Sequence, residues 1–307
     1  MAGRTFRIGL AIRYRLVLPI KKVHPQGIPI PPLNAAALLR QYGLRADKRL
    51  GQNFLQEASA LQNIVSVAGI EATDTILEIG AGLGSLTRYL ATAACQVVAV
   101  ELDGRLLPAL KAVLAPHTNV RIIQGDILKI TPADLVDKPD YLVVANIPYY
   151  ITSALLRHLL GTVPRPRRLV LTVQEEVAER ICAKPGKMSL LALSVQIYGK
   201  ASIAARIPAG AFYPPPKVDS GVIRVDLFPS PLIPIPLLDI FFQLAKAGFS
   251  QKRKTLRNAL SAGLRRPAQE TESLLRSAGI DPQRRAETLT LEDWKRLCGQ
   301  LPVTSDQ

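Results

Sequence analysis

The stretch Asn146-Ile147-Pro148-Tyr149 sets two hydrogen-bond acceptors, a rigid turn and an aromatic ring side by side. The Asn146 side-chain oxygen and the Ile147 carbonyl can accept both N–H hydrogens of one amino group. Pro148 fixes φ and stiffens the turn that leads to Tyr149. An exocyclic amine of a nucleobase needs such help, because its lone pair is delocalised into the ring. Two acceptors favour a pyramidal nitrogen and stabilise the positive charge that develops on it during an in-line displacement. Tyr149 offers a ring face for the base, an interaction worth ~1–3 kcal/mol per base. Its electron-rich face also suits a cationic methyl donor. No general base with a tuned pKa is required, since the proton can leave to water after transfer. Taken by itself, the tetrapeptide also reads as an ordinary β-turn at a strand end.

A second set of residues supplies a place for the donor. Glu78-Ile79-Gly80-Ala81-Gly82-Leu83-Gly84-Ser85 has glycines that allow a sharp turn after a strand and close backbone approach to a ligand. The spacing is G-x-G-x-G, not the G-x-G-x-x-G of dinucleotide enzymes. It suits S-adenosylmethionine, which brings no pyrophosphate to a helix N-terminus. Glu101 closes the next strand, where a carboxylate can accept from both ribose hydroxyls. Asp126, in Gln124-Gly125-Asp126-Ile127, can accept from the exocyclic amine of the cofactor's adenine. A helix N-cap is its alternative role. Gly80, Glu101 and Asp126 in register after successive strands favour the cofactor reading.

These residues must be held by a framework that brings strand ends together. The apolar runs Thr75–Ile79, Val97–Val100, Val120–Ile123, Tyr141–Ala145 and Leu169–Val173 read as buried strands. Helical stretches such as Ser85–Ala91, Asp103–Leu114 and Thr152–Leu160 separate them. The alternation implies a mostly parallel sheet with helices on both faces. Residues 201–208 and 221–228 read as two late strands forming an antiparallel pair at a sheet edge. Beyond Pro229, prolines at 231, 234 and 236 mark a linker. Helices then follow at about 237–247, 252–262, 268–278 and 290–300.

The 307-residue chain has 48% hydrophobic residues, enough for a folded core, and a net charge of +15, which favours a polyanionic partner. Its three cysteines, Cys95, Cys182 and Cys298, are scattered, as are its three histidines. Neither a disulfide framework nor a metal site is expected, and a reducing cytosol fits. No apolar run reaches the ~18 residues of a membrane span. Before Asp47 there is no acidic residue, and residues 25–32 are Pro-rich. This basic tail reads as a transit peptide, a flexible arm or an extension upstream of the true start, and no chemistry is assigned to it.

Together these motifs resemble the ribosomal small-subunit RNA adenine dimethyltransferases, the KsgA/RsmA family, over roughly residues 46 to 300. Lys48-Arg49-Leu50-Gly51-Gln52-Asn53-Phe54-Leu55 is similar to the family's first motif. Ile76 to Thr87, Val100-Glu101-Leu102-Asp103 and Gly125-Asp126 are similar to its other cofactor motifs. The resemblance implies cofactor contacts from Gln52, Asn53 and Leu55, from Gly80 and Gly82, from Glu101 and Leu102, and from Asp126, Ile127 and Asn146. Phe212-Tyr213-Pro214-Pro215-Pro216-Lys217-Val218-Asp219-Ser220 resembles the family's F-x-P-x-P-x-V-x-S loop. There a stiff proline run would present Phe212 to the base face opposite Tyr149; core packing is the alternative for Phe212. Phe249 to Asn258 resembles the family's basic helix start, making Lys252, Arg253, Lys254 and Arg257 RNA contacts. Arg253 and Arg257 would share one helical face and Leu256 and Leu260 another. Arg285-Ala286-Glu287-Thr288-Leu289 resembles its closing motif. Gly186-Lys187-Met188-Ser189 departs from the family pattern, leaving the start of the next helix open.

The expectation is therefore an α/β protein with a class I Rossmann-like methyltransferase fold, a mostly parallel seven-stranded sheet and a small all-helical C-terminal domain. Residues 1–45 form the tail, 46–229 the methyltransferase domain and 230–307 the helical RNA-binding domain. The implied reaction converts two adjacent adenosines in the 3′-terminal hairpin loop of small-subunit rRNA to N6,N6-dimethyladenosine. It releases S-adenosylhomocysteine, needs no metal and acts on an assembling small subunit in the cytoplasm, with no membrane association and a monomeric enzyme. Two alternatives stay open. One is a large-subunit rRNA adenine methyltransferase of the macrolide-resistance type, and the other a non-catalytic nucleic-acid-binding factor of the same fold.

Overall fold

Short, apolar, β-branched segments that alternate with amphipathic ones can bury both faces of a sheet only if helices cover each side. The structure, a computed structural model, describes residues 30–301 and builds that arrangement. Its strands are β1 (Phe54–Leu55), β2 (Thr75–Ile79), β3 (Gln96–Glu101), β4 (Val120–Gln124), β5 (Leu142–Asn146), β6 (Arg168–Gln174), β7 (Gly199–Ile207), β8 (Phe212–Tyr213) and β9 (Ser220–Leu227). Helices α1 (Ala35–Gln41), α2 (Ala58–Ala68), α3 (Ser85–Ala93), α4 (Leu107–Leu114), α5 (Thr152–Gly161), α6 (Glu175–Ile181) and α7 (Leu190–Gln196) surround them. The main sheet has seven strands in the order β4-β3-β2-β5-β6-β9-β7. The first five in space run parallel, and β9 and β7 join antiparallel at the far edge.

Chain direction across the sheet reverses between β2 and β5, which are neighbours. One connection leaves toward β3 and the other toward β6, so the loops after β2 and β5 part and open a crevice at their C-terminal ends. The glycine loop follows β2 and the Asn146 turn follows β5. Topology thus places both motifs at the one crevice that such a sheet creates.

Helix α8 (Leu238–Phe249) begins the C-terminal region, followed by α9 (Leu256–Leu264), α10 (Ala268–Ser277) and α11 (Leu291–Cys298). All four expected helices are present. The change at Pro229 is one of element type, because the core is continuous across it. Phe241, Leu256 and Trp294 belong to the same buried cluster as Leu193, Val195 and Val225. Trp294 stacks on Phe249 and meets Phe241 edge-on. Ser189 caps α7 by accepting from the Ala192 N–H at 3.1 Å, which fixes the helix start that the sequence left open. The Glu287 carbonyl ties down the preceding loop by accepting from the N–H groups of Gly186 and Met188.

Two expectations shift. The folded body reaches upstream of residue 46. Asn34 caps α1, Ala35 and Leu39 pack with Phe54, Leu83 and Leu106, and the Pro31 carbonyl accepts from buried Arg88 at 2.8 Å. Only residues 1–29 of the expected tail lie outside the described residues. The helix expected at 252–262 starts at Leu256, because carbonyls of Arg284 and Pro282 accept from its first N–H groups and fix its end there. Lys252, Arg253 and Lys254 therefore form an exposed turn before the helix, and Arg253 shares no helical face with Arg257. Leu256 and Leu260 are buried as expected.

Candidate active site

One cavity occupies the crevice, lined by residues 50–55, the glycine loop, the ends of β3 and β4, and the turn after β5. Gly82 sits at φ +57°, a left-handed conformation that other residues adopt with strain. Its N–H donates to Glu101 Oε2 at 2.7 Å, and a Cβ there would press on the Phe54 ring at 3.1 Å. The missing side chain thus serves both the turn and the close approach of the 50–55 segment. Glu101 Oε1 accepts from the Asp103 N–H at 2.7 Å. Each oxygen holds one backbone donor and keeps further acceptor capacity for hydroxyls. Burial pushes the Glu101 carboxyl above the ordinary range, and the two N–H donors pull it back.

Glu78, the first residue of the same motif, is buried, and burial pushes its carboxyl up to about 8. Glu78 belongs to the cavity wall, and its Oε2, shielded from solvent near Thr87, has no hydrogen-bond partner among the described residues. An orphaned buried carboxyl oxygen is costly, and the cost is greatest when the group is ionised. A cationic ligand in the cavity favours the ionised carboxyl through its charge, and S-adenosylmethionine carries both an ammonium and a sulfonium. Asp126 lines the rim and also takes its alternative role. It caps the 3₁₀ turn Ile127–Lys129 by accepting from the Leu128 N–H at 3.1 Å. Leu102, nearly half exposed, and buried Ile127 put apolar surface into the same wall. The residue set fits a cationic nucleoside cofactor.

At the end of β5, Asn146 Nδ2 donates to the Asn53 carbonyl at 3.2 Å. That bond orients the amide, and Oδ1 has no partner among the described residues. The side-chain oxygen is free to accept. Ile147, Pro148 and Tyr149 line the cavity beside it. The Tyr149 hydroxyl is 2.7 Å from Ser220 Oγ, and burial raises the phenol above its usual pKa. Ser220 is wholly buried at the head of β9. It is the final serine of the proline-rich loop, and the sequence pattern gives it no role of its own. In the structure it fixes the ring that the motif was expected to face.

Phe212 corrects the expectation. It is 3% exposed, packs in the core with Leu55, Ala211 and Val222, and does not line the cavity. The cause is strand alternation: β8 pairs with β1, Leu55 opposite Phe212 and Phe54 opposite Tyr213, so Phe212 turns inward and Tyr213 outward. Leu55 is buried by the same pairing but remains in the cavity wall. Gln52 and Asn53 also line the wall, and Gln52 is bonded to Asp103 at 2.8 Å. Tyr150, 59% exposed at the cavity mouth, has no role in the sequence pattern. The basic residues lie in the C-terminal region, outside the cavity lining. Arg257 pairs with Glu272 at 3.0 Å, whereas Lys252, Arg253 and Lys254 have no ion pair among the described residues.

The family model for ribosomal RNA adenine dimethylase matches residues 43–301. A protein of Dehalococcoides mccartyi described as ribosomal RNA small subunit methyltransferase A is 48% identical over 273 residues, covering 87% of this chain and 93% of its own. One of the same description from Lysinibacillus sphaericus is 40% identical over 280 residues, covering 88% and 96%. Among solved structures, a Plasmodium falciparum dimethyladenosine transferase superposes with a TM-score of 0.68 at 26% identity, covering 80% of this chain and 95% of its own. The 23S rRNA methyltransferase ErmE does so with a TM-score of 0.66 at 28% identity, covering 81% and 99%. With most of its length matched by the family model and by these relatives, the chain belongs to the ribosomal RNA adenine dimethylases, a family of S-adenosylmethionine-dependent methyltransferases.

Proposed function

We propose that this protein dimethylates N6 of two adjacent adenosines in the 3′-terminal hairpin of small-subunit rRNA. The observation that carries the reading is the free Asn146 Oδ1 at the end of β5, next to a cavity whose carboxylates suit a cationic nucleoside. The relatives described as small-subunit enzymes cover nearly all of the matched chain and favour that substrate. S-adenosylmethionine supplies, when bound, an electrophilic methyl group on a sulfonium centre.

The chain's own residues do the rest. Glu101 accepts from hydroxyls of the nucleoside sugar, Asp126 from the base amine, and Gly82 with Gln52, Asn53 and Leu55 shapes the wall. Gly80 brings the loop beside the Asn146 turn, with Leu102 and Ile127 giving the base apolar contact. Glu78 neutralises a cationic group of the ligand. Asn146 Oδ1 and the Ile147 carbonyl accept the two N–H hydrogens of the target amine, freeing its lone pair. Pro148 holds the turn, and Tyr149, fixed by Ser220, presents its ring to the base. The amine proton leaves to water. A loop adenosine can be extruded into the cavity at modest cost. The mechanism calls for no metal ion. Among the described residues no three of His, Cys, Asp and Glu are grouped as a metal site.

Lys252, Arg253 and Lys254 form the proposed phosphate contact, joined by Arg257, which is also held in an ion pair with Glu272. The enzyme is read as a cytoplasmic monomer acting on an assembling small subunit. Among the described residues no helix is long and apolar enough to cross a membrane.

The test is incubation with methyl-labelled S-adenosylmethionine and small subunits lacking the modification, beside an Asn146→Ala variant. Label in N6,N6-dimethyladenosine from the 3′ hairpin, lost in the variant, is expected. Label in large-subunit RNA instead would move the assignment to that substrate. RNA binding without any transfer would favour a non-catalytic factor.

A further inference from the structure

Two carboxylates from distant segments, Asp47 and Asp103, lie close together with little solvent access, at 11% and 6%. Asp47 pairs outward with Arg49, whose Nη2 is 3.0 Å from Oδ2; among the described residues Arg105 alone pairs with both carboxylates. Arg105 sits between them: Nη2 is 3.1 Å from Asp47 Oδ2 and 2.7 Å from Asp103 Oδ2, and Nε is 2.8 Å from Asp103 Oδ1. Gln52 links the same two residues by a second route. Its Nε2 donates to Asp103 Oδ2, and its Oε1 accepts from the Asp47 N–H, both at 2.8 Å. The bonds close a circuit from Arg105 through Asp47, Gln52 and Asp103 back to Arg105. Segment 47–53, whose residues 50–53 form cavity wall, is strapped across the cavity by this circuit.

The circuit reaches the cofactor side through Asp103, whose N–H donates to Glu101 Oε1. It reaches the amine side through the strap, whose Asn53 carbonyl orients Asn146. Gly51, at φ +62°, lies so near Pro148 and Tyr150 that a Cβ would approach each at 3.3 Å. Arg105 itself does not line the cavity.

We propose that Arg105 is a positioning residue for the methyl-transfer site, latching strap 47–53 over the cofactor cavity by bridging Asp47 and Asp103. The proposal rests on the reading of the cavity as the S-adenosylmethionine site. A planar guanidinium can bind two carboxylates at once with fixed geometry, whereas a lysine ammonium is a point charge that cannot reproduce the fork.

The experiment measures S-adenosylhomocysteine binding to the full chain by calorimetry, with thermal melting and steady-state kinetics on small-subunit rRNA beside it. Arg105→Met is expected to raise the Kd by about tenfold or more. Its melting temperature should fall, because the nearly buried Asp47 and Asp103 lose their shared counter-charge, so binding is measured well below the unfolding transition, and KM for rRNA should stay within about twofold. Arg105→Lys should recover only part of the affinity. Asp47→Asn should weaken binding alone, Arg49→Met, which removes only the outward partner of Asp47, should leave Kd within about twofold, and adding Asp47→Asn to Arg105→Met should cost clearly less than its effect alone. Binding by Arg105→Met within about twofold of the parent, or fully additive effects in the double variant, would overturn the proposal. If Arg105→Met does not fold, Asp47→Asn carries the test, and unchanged affinity in it is refuting. A parent chain that binds no S-adenosylhomocysteine would overturn the cofactor reading itself, and the latch with it.

Discussion

Replacing Ser220 by Ala separates the role of the Tyr149 ring from that of the cofactor pocket. Ser220 is wholly buried, its Oγ lies 2.7 Å from the Tyr149 hydroxyl, and it does not line the cavity. Deleting Oγ leaves a half-buried phenol without its partner, a loss of ~1–3 kcal/mol. Where that loss is expressed as a displaced ring, kcat/KM for rRNA falls roughly 5- to 150-fold, since ~1.4 kcal/mol is tenfold. S-adenosylhomocysteine affinity should stay within about twofold. Removing both partners of a hydrogen bond can be nearly neutral, so Tyr149→Phe with Ser220→Ala should regain stability relative to Ser220→Ala alone. The assays are urea unfolding and single-turnover methyl transfer at saturating cofactor. A Ser220→Ala protein that matches the parent in both stability and rate would refute the reasoning. So would simple additivity in the double variant.

The same geometry sets other outcomes. Asn146→Ala should lower kcat by ~10²–10³-fold at saturating cofactor, the scale of losing one preorganised polar group; a loss confined to KM would point to binding instead. Phe212→Leu should leave methyl transfer within a few-fold of the parent while lowering stability by about 1 kcal/mol, as for a core residue, whereas Tyr149→Ala should abolish transfer; comparison of kcat and melting temperature decides. The Glu78 carboxyl, raised to about 8 from 4.5, favours the folded state when protonated. Its contribution is full below about 4.5 and is lost as pH rises through 8. Cofactor-free Glu78→Gln should therefore melt higher than the parent above pH 8 and match it most closely near pH 4.5. Binding a cationic ligand at pH 7 should release protons, seen as a buffer-dependent enthalpy in the parent that shrinks in the variant. Alanine at Lys252, Arg253 and Lys254 together should reduce the salt dependence of rRNA binding by about one log–log unit for every phosphate the variant no longer engages, without changing S-adenosylhomocysteine affinity.

Periodicity made most of the framework legible in the chain. The five parallel strands lie within one or two residues of their expected ends because both faces are buried and the runs are continuously apolar. The late antiparallel pair and the four C-terminal helices were equally visible. The upstream helix Ala35–Gln41 was not, since it is short and follows a Pro-rich stretch; its reason to exist is the apolar surface of Phe54, Leu83 and Leu106 that it covers.

What the sequence by itself determined was local: which residues can turn left-handed, which can accept a hydrogen bond, and that Gly80, Glu101, Asp126 and Asn146 each stand at the end of a strand. A parallel sheet places such ends along one edge, so their convergence was predictable. Tertiary structure alone decided which way side chains point and what they meet. Phe212 is inward because Leu55, far away in sequence, pairs with it. Ser220 acquires a role because β9 is laid beside β6, bringing its first residue under Tyr149. Arg257 is tied up by a glutamate on the next helix, and the basic turn before it is left exposed. Asp47 and Asp103 become a pair only when segment 47–53 folds across the cavity, and only then does Arg105 have two carboxylates to bridge. Each of these rests on contacts between distant segments, which no local pattern encodes.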